Sequence, residues 1–257
     1  MTDTAEPADP PAPLPRRLFA EFLGTGLLVT VVVGSGIAAQ QLSPNDVGLQ
    51  LLENSTATVF GLAVLILTLG PVSGAHFNPV VSLADWFLGR RAGAGLTMSE
   101  VGAYTVAQGA GGIGGALLAN VMFNVDPHLS AKHRASGAHL VGEVVATAGL
   151  LLVIFALART RRGPLAAPAV AAYIGAAYWF TSSTSFANPA VTVGRMFSDT
   201  FAGIAPASAP GFIGMQLLGA AVGTGIVLVL YPDIGDRAGD VVIPHPEPDR
   251  PTVKALP

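Results

Sequence analysis

No cysteine occurs among the 257 residues. That excludes disulfides, thiolate nucleophiles and cysteine-based metal sites, and it says nothing about redox compartment. Charge is scarce as well. Asp, Glu, Lys and Arg make up 11% of the chain, against about 25% in a soluble domain. A deficit of that size means that most of the surface faces something other than water. The net charge of −3 gives no basis for a nucleic-acid partner. The first residues lack the basic start of a signal peptide. Apolar sequence fills the space left by charge: 51% of residues are hydrophobic and mean hydropathy is +0.58.

Glycine is plentiful, at 31 residues, and much of it lies inside the apolar runs. A glycine costs about 1 kcal/mol in a soluble helix. In a membrane bundle small residues let helix backbones approach closely, so 109–115 reads as a helix contact surface. Residues 1–15 are acidic and proline-rich and read as a disordered cytoplasmic tail. Residues 233–257 mix charge and proline and read the same way.

A spanning helix needs about 20 mainly apolar residues. Six stretches qualify, near 18–39, 48–70, 100–123, 138–158, 165–184 and 208–231. Two shorter apolar stretches, near 78–88 and 188–198, cannot span. Each opens on Asn-Pro, and proline suits the first turn of a helix. Each follows a small, polar run, Ser73-Gly74-Ala75-His76 and Ser182-Ser183-Thr184-Ser185. This pattern predicts re-entrant half-helices, whose irregular approaches are tolerated only inside protein or along a watery cavity.

The chain also repeats. Glu21-x-x-x-Thr25 returns as Glu143-x-x-x-Thr147, Asn78-Pro79 as Asn188-Pro189, and Gln108-x-x-Gly111 as Gln216-x-x-Gly219. The order is kept in both copies, and so, closely, are the separations. Each copy holds three spans and a half-helix. Because three is odd, the second copy enters the membrane from the opposite face. The expected fold is an all-α membrane protein of six transmembrane helices plus two half-helices in an inverted repeat. Its channel domain covers 16–232, with repeats near 16–123 and 138–232. The functional site of such a repeat lies at the interface of its halves, near the midplane.

Orientation follows from Lys and Arg. With the N-terminus inside, the inner side holds Arg16, Arg17, Arg90, Arg91, Arg159, Arg161, Arg162, Arg237, Arg250 and Lys254, and the outer side only Lys132, Arg134 and Arg195. Both termini are expected in the cytoplasm, with the chain passing several times through the cell's inner membrane.

The two half-helices would meet N-terminus to N-terminus at the bilayer centre. Each such end carries unpaired N–H groups and about half a positive charge. Asn78 and Asn188 add amide donors there. Neutral hydrogen-bonding solutes would find partners, while cations would be repelled. Glu21 and Glu143, ionisable residues inside spans, are functional candidates by default. His76 lies at the inner mouth, either as a pH sensor or as a neutral ring bonded to loop backbone.

Ser73-Gly74-Ala75-His76-Phe77-Asn78-Pro79-Val80 and Phe186-Ala187-Asn188-Pro189-Ala190 resemble the paired Asn-Pro-Ala signatures of the major intrinsic protein family, the aquaporins and aquaglyceroporins. The resemblance covers roughly 17–232. It implies a passive channel rather than an enzyme, a homotetramer with one pore per subunit, and no metal or cofactor. It makes Glu21 and Glu143 scaffold residues that hold the loops before the half-helices. Half-helix dipoles contribute to proton and cation exclusion in aquaporin-type pores.

Two departures from the family pattern bear on solute choice. The first signature ends in Val80 rather than Ala. The position after the second, where the family usually has an Arg that narrows the outer filter, is Val191. Ungapped counting assigns Thr58, Ala176, Ser185 and Val191 to the filter, with Phe60 the alternative to Thr58. That set has neither a bulky ring nor a fixed cation and predicts a wide filter. Arg195 stands one helical turn beyond Val191. It either reaches the outer mouth or pairs with Asp199. Bacterial relatives with the same Asn-Pro-Ala-Val variant, and a segment resembling 198–204, are associated with arsenic resistance. The expected solutes are water, glycerol-like polyols, and arsenite or methylated arsenicals. A strictly water-selective channel, an ion-coupled transporter and an intramembrane hydrolase are the competing readings. The last lacks a G-x-S-x-G turn.

Overall fold

The structure, a computed structural model, describes residues 12–232. The expected tails lie outside the described residues except for 12–15. Helix α1 already takes Leu14 and Pro15 from the first tail, because a proline in the first turn lacks only an N–H that would be unpaired there anyway.

Among the described residues there are eight α-helices and no strand: α1 (Leu14–Leu42), α2 (Val47–Ser73), α3 (Pro79–Gly89), α4 (Met98–Met122), α5 (Gly137–Arg159), α6 (Ala166–Phe180), α7 (Pro189–Arg195) and α8 (Ala209–Leu230). Four of them, α1, α2, α5 and α8, are long and apolar enough by themselves to cross a membrane. Helix α4 has the length, but its glycines, Gln108 and Asn120 dilute its hydropathy. Both polar side chains are buried. Helix α6 has 15 residues and is lengthened by a 3-10 turn at Gly163–Leu165. It stops at Phe180, short of the expected 184, because Thr181 turns extended and Thr184 and Ser185 take positive φ. Helices α3 and α7 are the two half-helices. The second ends at Arg195, not 198.

Local chemistry sets the helix ends. Asp46 caps α2 by accepting from the Leu49 N–H at 2.9 Å. Gly74 closes the same helix in the left-handed conformation, φ 84°, which costs glycine nothing. Thr97 and Glu100 form a reciprocal capping box on α4. The Arg17 guanidinium pairs with Glu100, which puts the starts of α1 and α4 on the same side.

The repeat is visible in the packing. Helix α1 lies on α4, and α5 lies on α8. A Cβ on Gly115 would collide with the Gly26 carbonyl across the α1–α4 contact. One on Gly223 would meet the Ala148 carbonyl at 2.6 Å across the α5–α8 contact. Residues 115 and 223 hold equivalent places in the two repeats. These backbone approaches stand where a soluble protein would have interlocked apolar side chains, since lipid gives no hydrophobic drive between helices. Contacts between α2 and α6 join the halves and leave a cavity along the repeat axis.

Candidate functional site

Two buried carboxylates build the loops that carry the site. Glu21 accepts from Ser73 Oγ at 2.6 Å, from the His76 and Phe77 N–H groups at 3.0 and 2.7 Å, and from Gln108 Nε2 at 2.7 Å. Glu143 accepts from the Phe186 and Ala187 N–H groups, both at 2.9 Å, and from Gln216 Nε2 at 2.6 Å. These bonds hold a backbone that is otherwise unfavourable. Ala75, Phe77, Ser185 and Ala187 have φ of 48°, 50°, 49° and 47°. That is the left-handed region, which costs about 1–3 kcal/mol per residue and persists only where the surroundings impose it. Carbonyls of these loops can then face the cavity rather than closing a helix. In the sequence Gln108 and Gln216 stand out only as repeat markers; their contact with the carboxylates leaves no signal there.

The half-helices meet through their asparagines. Each side-chain oxygen caps its own helix: Asn78 accepts from the Val80 N–H at 3.2 Å, and Asn188 from the Ala190 and Val191 N–H groups at 2.9 and 3.2 Å. Each amide reaches into the other repeat. Asn78 Nδ2 donates to the Ala187 carbonyl at 2.8 Å, and Asn188 Nδ2 to the Phe77 carbonyl at 2.7 Å. One donor hydrogen per amide is spent on this cross-brace, which leaves the second for a solute. Pro79 and Pro189 occupy the first turns. Val80 and Ala190 are buried, at 0% and 2% exposure, and neither lines the cavity. The methyl groups that Val80 has beyond Ala are therefore buried in protein and do not border the cavity.

The cavity, about 760 Å³ of empty space including its open mouths, has two unlike sides. One is an apolar wall from four helices, including Leu28, Leu62, Leu150, Val170 and Ile174. The other consists of the paired loops, with both asparagines and His76. His76 Nδ1 lies 3.0 Å from Ser82 Oγ, and its ring packs 5.5 Å from that of Tyr104. Such a path suits a solute with one hydroxylated edge and one carbon edge.

At the end of the cavity that Arg195 lines, the structure places Thr58, Ser185 and Val191 in the lining. Ser185 Oγ is buried without a protein partner. Phe60 is 69% exposed on the outer surface of α2. Ala176 is exposed and outside the lining. Ile174 and Tyr178 face the cavity instead, and two residues from either is about 200° around a helix. A ring therefore does line this end of the cavity. Tyr178 Oη lies 3.2 Å from Thr58 Oγ1. A cation lines it too. Arg195 is 2% exposed and lines the cavity. Its Nε donates to the Ala202 carbonyl, and its guanidinium stacks 3.5 Å over the Phe186 ring. No Arg195–Asp199 pair forms, because α7 ends at Arg195. Asp199 instead accepts from Ser130 Oγ and the Ala131 N–H at 3.2 and 3.0 Å.

Six spans, two half-helices and a continuous lining of mirrored loops define a multi-pass membrane channel. Comparison with known proteins agrees. The family model described as "Major intrinsic protein" matches residues 12–187, stopping one residue before the second Asn-Pro-Ala. The chain belongs to the major intrinsic protein family, whose members are channels for small neutral solutes and not enzymes. It is 51% identical over 209 residues to aquaglyceroporin AqpS of Rhizobium meliloti (strain 1021), covering 80% of this chain and 86% of that one. It is 30% identical over 154 residues to human aquaporin-2, covering 58% and 53%. The X-ray structure of the aquaglyceroporin from Plasmodium falciparum shares the fold, with a TM-score of 0.60 at 19% identity over 86% of this chain and 99% of that one.

Proposed function

We propose that the chain is a solute channel of the aquaglyceroporin type. It would pass water, glycerol-like polyols and polyol-shaped neutral species such as arsenite, as As(OH)3, or methylated arsenicals. The observation that carries this reading is the outer filter. With Val191 beside the second asparagine, the cation moves out by one helical turn to Arg195, where Phe186 and the Ala202 carbonyl hold it to one side. Ser185 belongs to the lining at the same end of the cavity, and its hydroxyl has no protein partner. The apolar wall opposite fits the carbon edge of a polyol. The similarity to a protein named an aquaglyceroporin supports the same choice.

The channel domain is read as 16–232, although α1 itself starts two residues earlier, at Leu14, with both termini cytoplasmic in the inner membrane, and it would assemble as a homotetramer. The distribution of Lys and Arg supports the orientation. Family membership supports the tetramer. The test is stopped-flow light scattering on reconstituted vesicles, comparing water, glycerol and As(OH)3 for the wild type and Val191→Arg. Rapid solute entry that Val191→Arg abolishes, with water flux retained, is the expected result. Rapid water flux with no solute entry in the wild type would overturn the reading.

A further inference from the structure

A second concavity lies above α7, outside the apolar cavity and joined to it through Arg195, which lines both. Its polar walls come from Asn54, Lys132, His133, Arg134, His139 and Arg195. The three cations are held in a consistent way. Lys132 Nζ donates to the Phe201 carbonyl at 3.0 Å. Arg134 donates through Nη2 to the same carbonyl and through Nε to the Gly203 carbonyl, both at 2.8 Å. Arg195 donates to Ala202 between them. Aromatic faces complete the support, with Lys132 over Phe201 and Arg134 and Arg195 over Phe186.

Three successive carbonyls thus fix three positive side chains, and carbonyls are neutral. Among the described residues no carboxylate lies within ion-pair distance of any of the three. Asp199 acts on Lys132, and Glu143 on the two arginines, only at longer range. The cost of this crowding is visible at Lys132. Burial first, then the charges of Arg134 and Arg195, push its ammonium down to about 8. An arrangement of fixed cations with no directly paired carboxylate in a half-enclosed space is complementary to an anion with several acceptor oxygens. His139 is oriented by its Nδ1, 2.7 Å from the Arg134 carbonyl.

We propose that this outer vestibule binds a small oxyanion, gripped by Lys132 and Arg134 from the loop after α4 and by Arg195 from the end of α7. The group recognised is a tetrahedral or planar oxyanion. A free inorganic ion and the phosphate of an anionic lipid share that chemistry. The vestibule opens into the solute cavity through Arg195, so the free ion is the assigned ligand.

The test is equilibrium binding of radiolabelled sulfate to the detergent-solubilised full chain at low chloride. Saturable binding is expected, weakened about tenfold in Lys132→Gln and kept in Lys132→Arg. It should also persist in excess short-chain phosphatidylglycerol. Lys132 lies in a loop on the surface of the fold, and gel filtration together with the melting temperature checks that the Lys132→Gln variant stays folded. Absence of saturable binding, equal binding by Lys132→Gln, or binding of labelled phosphatidylglycerol in place of sulfate would each overturn the proposal.

Discussion

The Tyr178 hydroxyl sits 3.2 Å from Thr58 Oγ1, joining α6 to α2 at the outer end of the cavity. Both residues line the cavity together with Val191, so in the proposed filter the pair would limit the width. Thr58 is itself fixed, donating to the Asn54 carbonyl at 2.8 Å, so the hydroxyl pair ties the ring to a stationary point. Tyr178→Phe removes a neutral hydrogen bond worth about 0.5–1.5 kcal/mol but keeps the ring. It should leave the size cut-off for linear polyols unchanged. Tyr178→Ala should extend that cut-off to longer polyols. Light scattering over a series of polyols of increasing length separates the two outcomes.

Ala176→Tyr distinguishes the filter built from ungapped counting from the one in the structure. Residue 176 faces outward, so a ring there should leave glycerol and water flux within about twofold of the wild type, the small effect usual for a surface change. A collapse of glycerol flux would return Ala176 to the filter.

That substitution also marks where the sequence became hard to read. The spans, the half-helices and the repeat were legible because hydropathy and Asn-Pro each leave a signal in a single line of sequence. The face that α6 turns inward leaves none, since the helix carries apolar residues on every side. The clue was in the repeat itself. The offset from Gln108 to Gln216, applied to Leu62 and Ile66 of α2, gives Val170 and Ile174 of α6, which line the cavity. The next turn after Ile174 is Tyr178. Arg195 was ambiguous for another reason. Helical spacing alone fits Asp199 as well as the outer mouth, and only the end of α7 at Arg195 decides between them.

Glu143 converges on two backbone N–H groups and the Gln216 amide. Glu143→Gln keeps the size but replaces one acceptor oxygen by a donor that must face another donor. Bonds to a charged acceptor contribute about 1.5–3 kcal/mol each. The variant should therefore lose at least about 2 kcal/mol, seen as a lower melting temperature in detergent, together with most of its solute flux. Glu21→Gln should behave alike, because Glu21 makes the equivalent contacts in the first repeat. A melting temperature equal to the wild type would show that the loops hold their left-handed residues unaided.

Lys132 carries the pH dependence of the outer face. Its ammonium in the folded chain releases its proton near 8, against an ordinary 10.5, so the unfolded chain binds more protons between these values. Stability then rises with pH across that window. Relative to Lys132→Met, the wild type should gain melting temperature from about pH 8 to pH 10.5 and be flat below it. Equal slopes for the two proteins would mean that the loop does not crowd this charge.

Arg195 lines the cavity that also holds both asparagines, so in the proposed channel its charge would oppose an entering cation. It is buried, stacked on Phe186 and bonded to Ala202, so its charge stays at the cavity wall. At an effective dielectric near 20, a charge about 8–10 Å from a passing cation opposes it by roughly 2 kcal/mol, and ions in the vestibule screen part of that. Arg195→Gln keeps a donor for the Ala202 carbonyl while removing the charge. Entry of methylammonium into vesicles should rise about tenfold, with glycerol flux little changed, because a neutral polyol meets no field penalty. The half-helix dipoles remain in the variant, so cation entry should stay well below that of glycerol. If glycerol flux fell as far as methylammonium flux rose, Arg195 would be holding the shape of the filter rather than its charge.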